Sequence, residues 1–169
     1  MTTTEQLIQI PVRLDFDTHA SVYSKAMSHL DNAATKELDR VDFDHRLREL
    51  VRIRASQLNG CAYCIDMHTK DARALGESEQ RIYALSAWRE APFFTARERA
   101  ALAFTEAVTR IADGGVPDDV YEATRKHFSD EEIVNLTMAI ATINVWNRLA
   151  ITFRSDVGSY QPAAHAVAS

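Results

Sequence analysis

Hydrophobic residues along this chain recur three and four positions apart, and Ser, Thr, Asp and Gly interrupt them at intervals that suit helices rather than strands. A first helix is expected from about His19 to Leu30, with Asp17 and Thr18 as cap candidates. Leu47, Leu50, Val51 and Leu58 keep to one helical face until Asn59-Gly60 stops it. The next helix should run from about Cys61 to Leu75, with Gly76 just past its end. Ser78 can cap a helix that must finish before Pro92. Thr95-Ala-Arg-Glu98 and Ser129-Asp-Glu-Glu132 both have the form of capping boxes. The first opens an alanine-rich helix to about Ile111, the second a long helix through Phe153, and a short helix follows Pro117. Residues 158–169 show no apolar period and are expected to form a mobile tail. With no internal repeat, the pattern predicts one all-α domain over residues 1–157, built from about six to seven helices.

The last helix carries a further expectation. Ile133, Val134, Leu136, Met138, Ile140, Ile143, Val145, Trp146, Leu149 and Ile151 circle most of it, and a helix apolar all round must be covered on most faces. So few helices do not easily surround it, so burial against further copies is expected, with a central core helix of a monomer as the alternative. The stretch Ile133 to Phe153 has the length of a bilayer span, but Asn135, Asn144, Asn147 and Arg148 interrupt it. An arginine near a membrane centre costs about 2.5–3.5 kcal/mol, so a buried helix away from any membrane is the better reading.

Composition narrows the function classes. The chain has 169 residues, 46% of them hydrophobic and 25% charged, enough for a core without disulfide or metal staples. Five Gly and four Pro leave little room for a many-turned all-β fold. A net charge of −5 provides no basic footprint for nucleic acid. The start MTTTEQLIQIPVRLDF lacks the basic residues and apolar run of a secretory leader, so a reducing cytoplasm is the expected compartment.

The two cysteines, Cys61 and Cys64, stand as Cys-Ala-Tyr-Cys at the expected start of a helix. A helix N-terminus offers free N–H groups and partial positive charge, which favour thiolate over thiol. Residues three apart share a helical face at about 5–6 Å between Cβ atoms, near the range a disulfide can close. His68 continues that face one turn after Cys64 and could take its proton or stabilise its anion. Glu49 lies twelve residues before Cys61, and a tight turn at Asn59-Gly60 would fold its helix back so that Glu49 falls opposite the cysteines. In an apolar helix interface its pKa is expected to rise, making it a proton relay. Alternatively, Glu49 pairs with Arg46 or Arg52 at the surface. The other histidines, His19, His29, His45, His127 and His165, share no spacing with the cysteines.

The pattern Glu49-x11-Cys61-x2-Cys64-x3-His68, across a core from about Leu47 to Leu75, resembles the AhpD-like alkylhydroperoxidases of the carboxymuconolactone decarboxylase-like superfamily. Ile143-Asn-Val-Trp-Asn-Arg148 resembles a stretch of the family's peroxidase-related branch. The resemblance implies an AhpD-like helical bundle with its CxxC at a helix N-terminus, assembled as trimers or hexamers. It implies a thiol peroxidase in which Cys64 attacks the hydroperoxide and becomes a sulfenic acid. Cys61 would give up a proton and then resolve that acid to a disulfide, while Glu49 and His68 relay protons. Helix-dipole reasoning alone would choose Cys61 as the nucleophile; His68, one turn after Cys64, favours the family's assignment. An external dithiol, lipoyl-type or thioredoxin-like, would restore the thiols. One departure stands out: the family's best-known peroxidases have histidine immediately before the second cysteine, where this chain has Tyr63. A phenol with a pKa of about 10 is a poor base, so a shorter relay and a slower reaction are expected. Tyr63, Asn144, Trp146 and Asn147 are the candidate pocket residues, with Asn144, Asn147 and Arg148 alternatively bridging subunits.

Three other readings compete. Cys61, Cys64, His68 and Glu49 could together hold zinc, although most structural sites use a second Cys or His pair. The superfamily contains decarboxylases acting on a cyclic lactone, which do not depend on a CxxC pair. A redox-sensing or scaffold oligomer would use the disulfide as a switch. No haem, flavin or nicotinamide motif is visible, so no cofactor is expected.

Overall fold

The computed structural model describes residue 8 and residues 10–162. Residues 1–7 and 9 of the N-terminal stretch read for a leader, and residues 163–169 of the expected tail with His165, lie outside the described residues. Among the described residues eight α-helices follow in order: α1 (Phe16–His19), α2 (Ser21–Arg40), α3 (His45–Asn59), α4 (Ala62–Ala74), α5 (Glu79–Ala84), α6 (Ala96–Thr109), α7 (Asp118–Arg125) and α8 (Asp130–Phe153). Short 3-10 turns extend α5 and α6, and no strand occurs among the described residues. None of these helices is long and apolar enough to cross a membrane.

Local chemistry explains most boundaries. Both capping boxes are formed reciprocally: Thr95 with Glu98 opens α6, and Ser129 with Glu132 opens α8. Ser78 caps α5. That helix ends well before Pro92, and the Arg99 guanidinium collects the carbonyls of Trp88, Arg89 and Ala91 in the connection that follows. The largest departure from the sequence pattern is at the N-terminal end. Asp15, not Asp17 or Thr18, is the cap: its carboxylate accepts from the backbone N–H groups of both, starting the short α1. The following helix continues ten residues beyond Leu30, to Arg40. Its inward face carries Ser24, Ser28 and Asp31 before Ala34 and Leu38, so polar residues obscure the apolar period.

The centre of the bundle is α3 rather than α8. Leu47, Glu49, Leu50, Val51, Arg52, Ile53, Ala55 and Ser56 are all buried, since α4, α6 and α8 pack around this helix. Complete burial of a side chain such as Leu50 or Ile53 contributes about 1.5–3 kcal/mol. The last helix buries Ile133, Leu136, Ile140 and Ile143 but leaves Val134 62% and Ile151 43% exposed, with Met138 and Val145 also open. Within one chain, then, α8 is covered on one side only. In the described part of the expected tail, Lys70 Nζ donates to the carbonyls of Gly158 and Tyr160, and Tyr160 Oη donates to Asp71 at 2.7 Å.

Candidate active site

The α3–α4 turn builds the sulfur end of the site. Gly60 closes α3 in the left-handed conformation, φ 73°, where a side chain would strain the backbone. Cys61 follows as the N-cap of α4, and its Sγ accepts the Cys64 N–H at 3.4 Å. The two buried cysteines are free thiols whose sulfurs lie 2.7 Å apart. The pair shares protons unequally. A hydrogen bond from Cys64 brings the Cys61 thiol down to about 7 against the opposing effect of burial, helped by backbone N–H groups and the Asn147 side chain. Cys64, donating to Cys61 and facing its charge in a buried place, is pushed up. Of the two, Cys61 is therefore the thiol that ionises more readily, and it is the residue the helix N-terminus favours.

The second half of the site joins the same two helices. Glu49 Oε2 on α3 meets His68 Nδ1 on α4 at 2.8 Å. Glu49 Oε1 lies 3.0 Å from Arg52 Nη1 and 3.5 Å from Arg48 Nε. Burial alone would raise the Glu49 pKa, the direction expected from sequence. The hydrogen bond and charge of His68, with the charges of Arg52 and Arg48, outweigh it and hold the carboxyl at about 2. This corrects the expectation of a raised pKa. An ionised carboxylate accepts the Nδ1–H of His68 and leaves Nε2 as the nitrogen that can exchange protons. Arg52 is itself held from α2, by Thr35 Oγ1 at 3.0 Å and Asp31 at 3.4 Å. The surface pairing considered for Glu49 is thus a buried network with Arg52 and Arg48, and Arg46 takes no part.

A cavity of about 580 Å³ opens onto Cys64 and His68; Cys61 is not among its lining residues. Tyr63 and Trp146 line it, whereas Asn144 and Asn147 are not among its lining residues. These two asparagines are structural ties instead. Asn59 Nδ2 donates to both side-chain oxygens, at 2.9 and 2.8 Å, and Asn147 Nδ2 donates to Ser56 Oγ at 3.0 Å. They lock α8 to the end of α3, and Asn147 also lowers both thiols. Arg148 stays within its own helix, donating to the Asn144 carbonyl.

Sequence reasoning missed the outer wall. Phe16 packs its ring 6.5 Å from Trp146 and 5.9 Å from Phe153, and the Arg13 N–H donates to the Phe153 carbonyl. These contacts bring residues 13–16 over α8, and Ser155 and Asp156 complete that side. Nothing in the local pattern of residues 12–16 signalled this role. The four-ligand zinc set is not assembled. Among the described residues, the cluster of metal-ligating type is Glu49, His68 and Asp71, without the cysteines, and two arginines already neutralise Glu49.

Comparison with known proteins identifies the family of the chain. Residues 23–107 match the carboxymuconolactone decarboxylase family. The chain is 50% identical over 112 residues to the uncharacterised protein YdfG of Bacillus subtilis, covering 66% of this chain and 76% of YdfG. A crystal structure from Agrobacterium tumefaciens, of a protein of unknown function named as a candidate AhpD antioxidant defence protein, superposes with a TM-score of 0.83 at 45% identity. The match covers 89% of this chain and all of that one. The debrominase Bmp8, as a cysteine-to-alanine variant in complex with 2,3,4-tribromopyrrole, shares the fold alone: TM-score 0.70 at 18% identity, covering 84% of this chain and 74% of Bmp8. With a family match spanning half its length and a relative at half identity, this chain belongs to the carboxymuconolactone decarboxylase family, as an AhpD-like member.

Proposed function

We propose that the protein is a thiol peroxidase reducing hydrogen peroxide or organic hydroperoxides through a Cys61–Cys64 dithiol–disulfide cycle. The observation that carries this reading is the cavity that reaches Cys64 while the sulfur of Cys61 waits 2.7 Å away. The fold also serves a debrominase, so the reading rests on the thiols and their proton chemistry rather than on the fold.

In the resting pair Cys61 is the thiolate and Cys64 the donor. Transfer of that proton to Cys61 makes Cys64 the nucleophile, on the side open to the cavity. Cys64 Sγ attacks the distal peroxide oxygen, the O–O bond breaks, and the alkoxide departs with the proton carried by Cys61, as an alcohol or as water. Cys64 is now a sulfenic acid, oxidised by two electrons, and Cys61 is again a thiolate. Cys61 attacks Cys64 and closes the disulfide; hydroxide leaves and becomes water with a proton supplied through His68 Nε2. An external dithiol, lipoyl-type or thioredoxin-like, returns two electrons by exchange. Burial, with the charges of Cys64, Asp17, Cys61 and Asp156, raises the Tyr63 pKa, so its phenol stays protonated. It can donate a hydrogen bond in the cavity but is no base. Free thiols that must be re-reduced suit a reducing compartment such as the cytoplasm. The exposed Val134, Met138 and Val145 on α8 support a homo-oligomer, a trimer or hexamer.

A single-turnover titration tests the assignment. Fully reduced protein receiving one equivalent of cumene hydroperoxide should lose two thiols per alcohol formed, within seconds. Cys64→Ser should abolish the reaction, and Cys61→Ser should stop at a sulfenic acid. Thiols that survive an hour, or full turnover by Cys64→Ser, overturn it.

A further inference from the structure

The charges around the cavity point to a preference among substrates that the thiol chemistry alone does not set. One part of the wall is apolar and aromatic: Val12, Leu14, Phe16, Met67 and Trp146, with Tyr63 beside the nucleophile. The remainder is acidic. Asp15, Asp17, Asp31 and Asp156 line the same space, and among the described residues no lysine or arginine does. Asp31 is compensated by Arg52 at 3.4 Å. The other three take no part in the ion pairs of the described residues; Asp15 accepts backbone N–H groups and the Thr18 hydroxyl, and Asp17 accepts from Ser24. His68 is the cavity's one potential cation among the described residues, and its Nδ1 already faces Glu49.

The negative field extends to the reacting end. Beyond burial, the charges of Asp17 and Asp156, together with those of the thiols, act on the Tyr63 phenol one residue before Cys64. A thiolate on Cys61 adds to the same sign. A chamber with apolar walls focuses such a field, and faces of Tyr63, Trp146 and Phe16 offer a cation a second source of attraction.

Resting on the hydroperoxide reading, we propose that this chamber selects by charge. It takes a hydroperoxide with a bulky apolar body and a positively charged far end, such as an alkylammonium group. It turns away a hydroperoxide bearing a carboxylate, as a free fatty acid does. The apolar body fills the wall between Phe16 and Trp146, the peroxide reaches Cys64, and the cationic end lies among Asp15, Asp17 and Asp156.

The test uses three cumene hydroperoxides matched except for the para substituent: trimethylammoniomethyl, methyl or carboxylate. Single-turnover thiol loss in the full-length reduced protein should be about tenfold faster for the cationic than for the anionic compound at low salt, the gap narrowing near 1 M salt. In Asp17→Asn/Asp156→Asn the ratio should fall to about twofold or less. Equal rates across the series, or a ratio unchanged in the double variant, overturn the proposal. Calorimetric binding of the three matching cumyl alcohols separates this outcome from failure of the peroxidase reading. If no hydroperoxide oxidises the thiols, a tenfold preference for the cationic alcohol still upholds charge selection, and equal affinities overturn it.

Discussion

The α3–α4 hairpin and the outer wall of the cavity meet at Cys64 but are built in opposite ways. The hairpin is local: Glu49, Cys61, Cys64 and His68 lie within twenty residues and are fixed by one turn with a left-handed Gly60. The wall is assembled from distant chain, with Phe16 set against Trp146 and the Asp15–Asp17 turn near Asp156. Burial differs as sharply. Glu49 and the two cysteines are almost fully enclosed, whereas Asp15, Asp17 and Asp156 are exposed. In the enclosed half a charge persists only where partners compensate it; in the open half Asp15, Asp17 and Asp156 stand outside the ion pairs of the described residues and are left to act on whatever enters. Under the proposed reading, reactivity belongs to the hairpin and selection to the wall.

Short of replacing a cysteine, the largest effect expected from perturbing the hairpin is that of Glu49→Gln. It removes the charged acceptor of His68 and leaves Arg52 and Arg48 facing a neutral amide. Peroxide turnover should fall about a hundredfold, within the range of a lost acid–base group. A Glu49 pKa lowered from 4.5 to about 2 stabilises the fold at neutral pH by roughly 3 kcal/mol. That stability is fully present above the unfolded value and is lost as pH falls from about 4.5 toward 2. Urea unfolding at pH 7 and pH 3 should therefore show the variant less stable at pH 7 and closer to wild type at pH 3. Equal destabilisation at both values would remove the carboxylate's charge from the account.

A smaller effect comes from titrating the sulfur pair. With Cys61 at about 7, the rate of thiol loss should rise about tenfold between pH 6 and pH 8 with its midpoint near 7. Stopped-flow mixing across that range checks it; a midpoint near 9 would make the pair ordinary thiols.

The mildest change belongs to the wall. Phe16→Ala deletes two aromatic contacts and should cost about 1–2 kcal/mol of stability. The KM for cumene hydroperoxide should rise several-fold, while kcat falls far less than in Glu49→Gln. A kcat loss matching that of Glu49→Gln would dissolve the distinction between the two regions.

The pattern of the chain itself determined the helices that local chemistry closes. Both capping boxes, the Asn59-Gly60 stop and the Ser78 cap depend on neighbours within a few residues, so their signals are complete in sequence. The same holds for Cys61, Cys64 and His68, whose spacing places them on one side of a single helix. Glu49 came into register because the turn is short. Its electrostatic state did not follow, because burial and compensating charge act in opposite directions and their balance depends on Arg48, Arg52 and His68 converging in space. Asn147 shows the same division: its motif was visible, but its bonds to Asn59 and Ser56 exist only because α8 crosses α3. The length of α2 was hidden for a related reason, since its inward Ser24, Ser28 and Asp31 face a cavity and not a packed core. Sequence alone thus determined an all-α chain with a thiol pair at a helix start. Tertiary structure decided which carboxylate stays ionised and which distant residues wall the cavity, because each depends on contacts between elements that the local pattern does not encode.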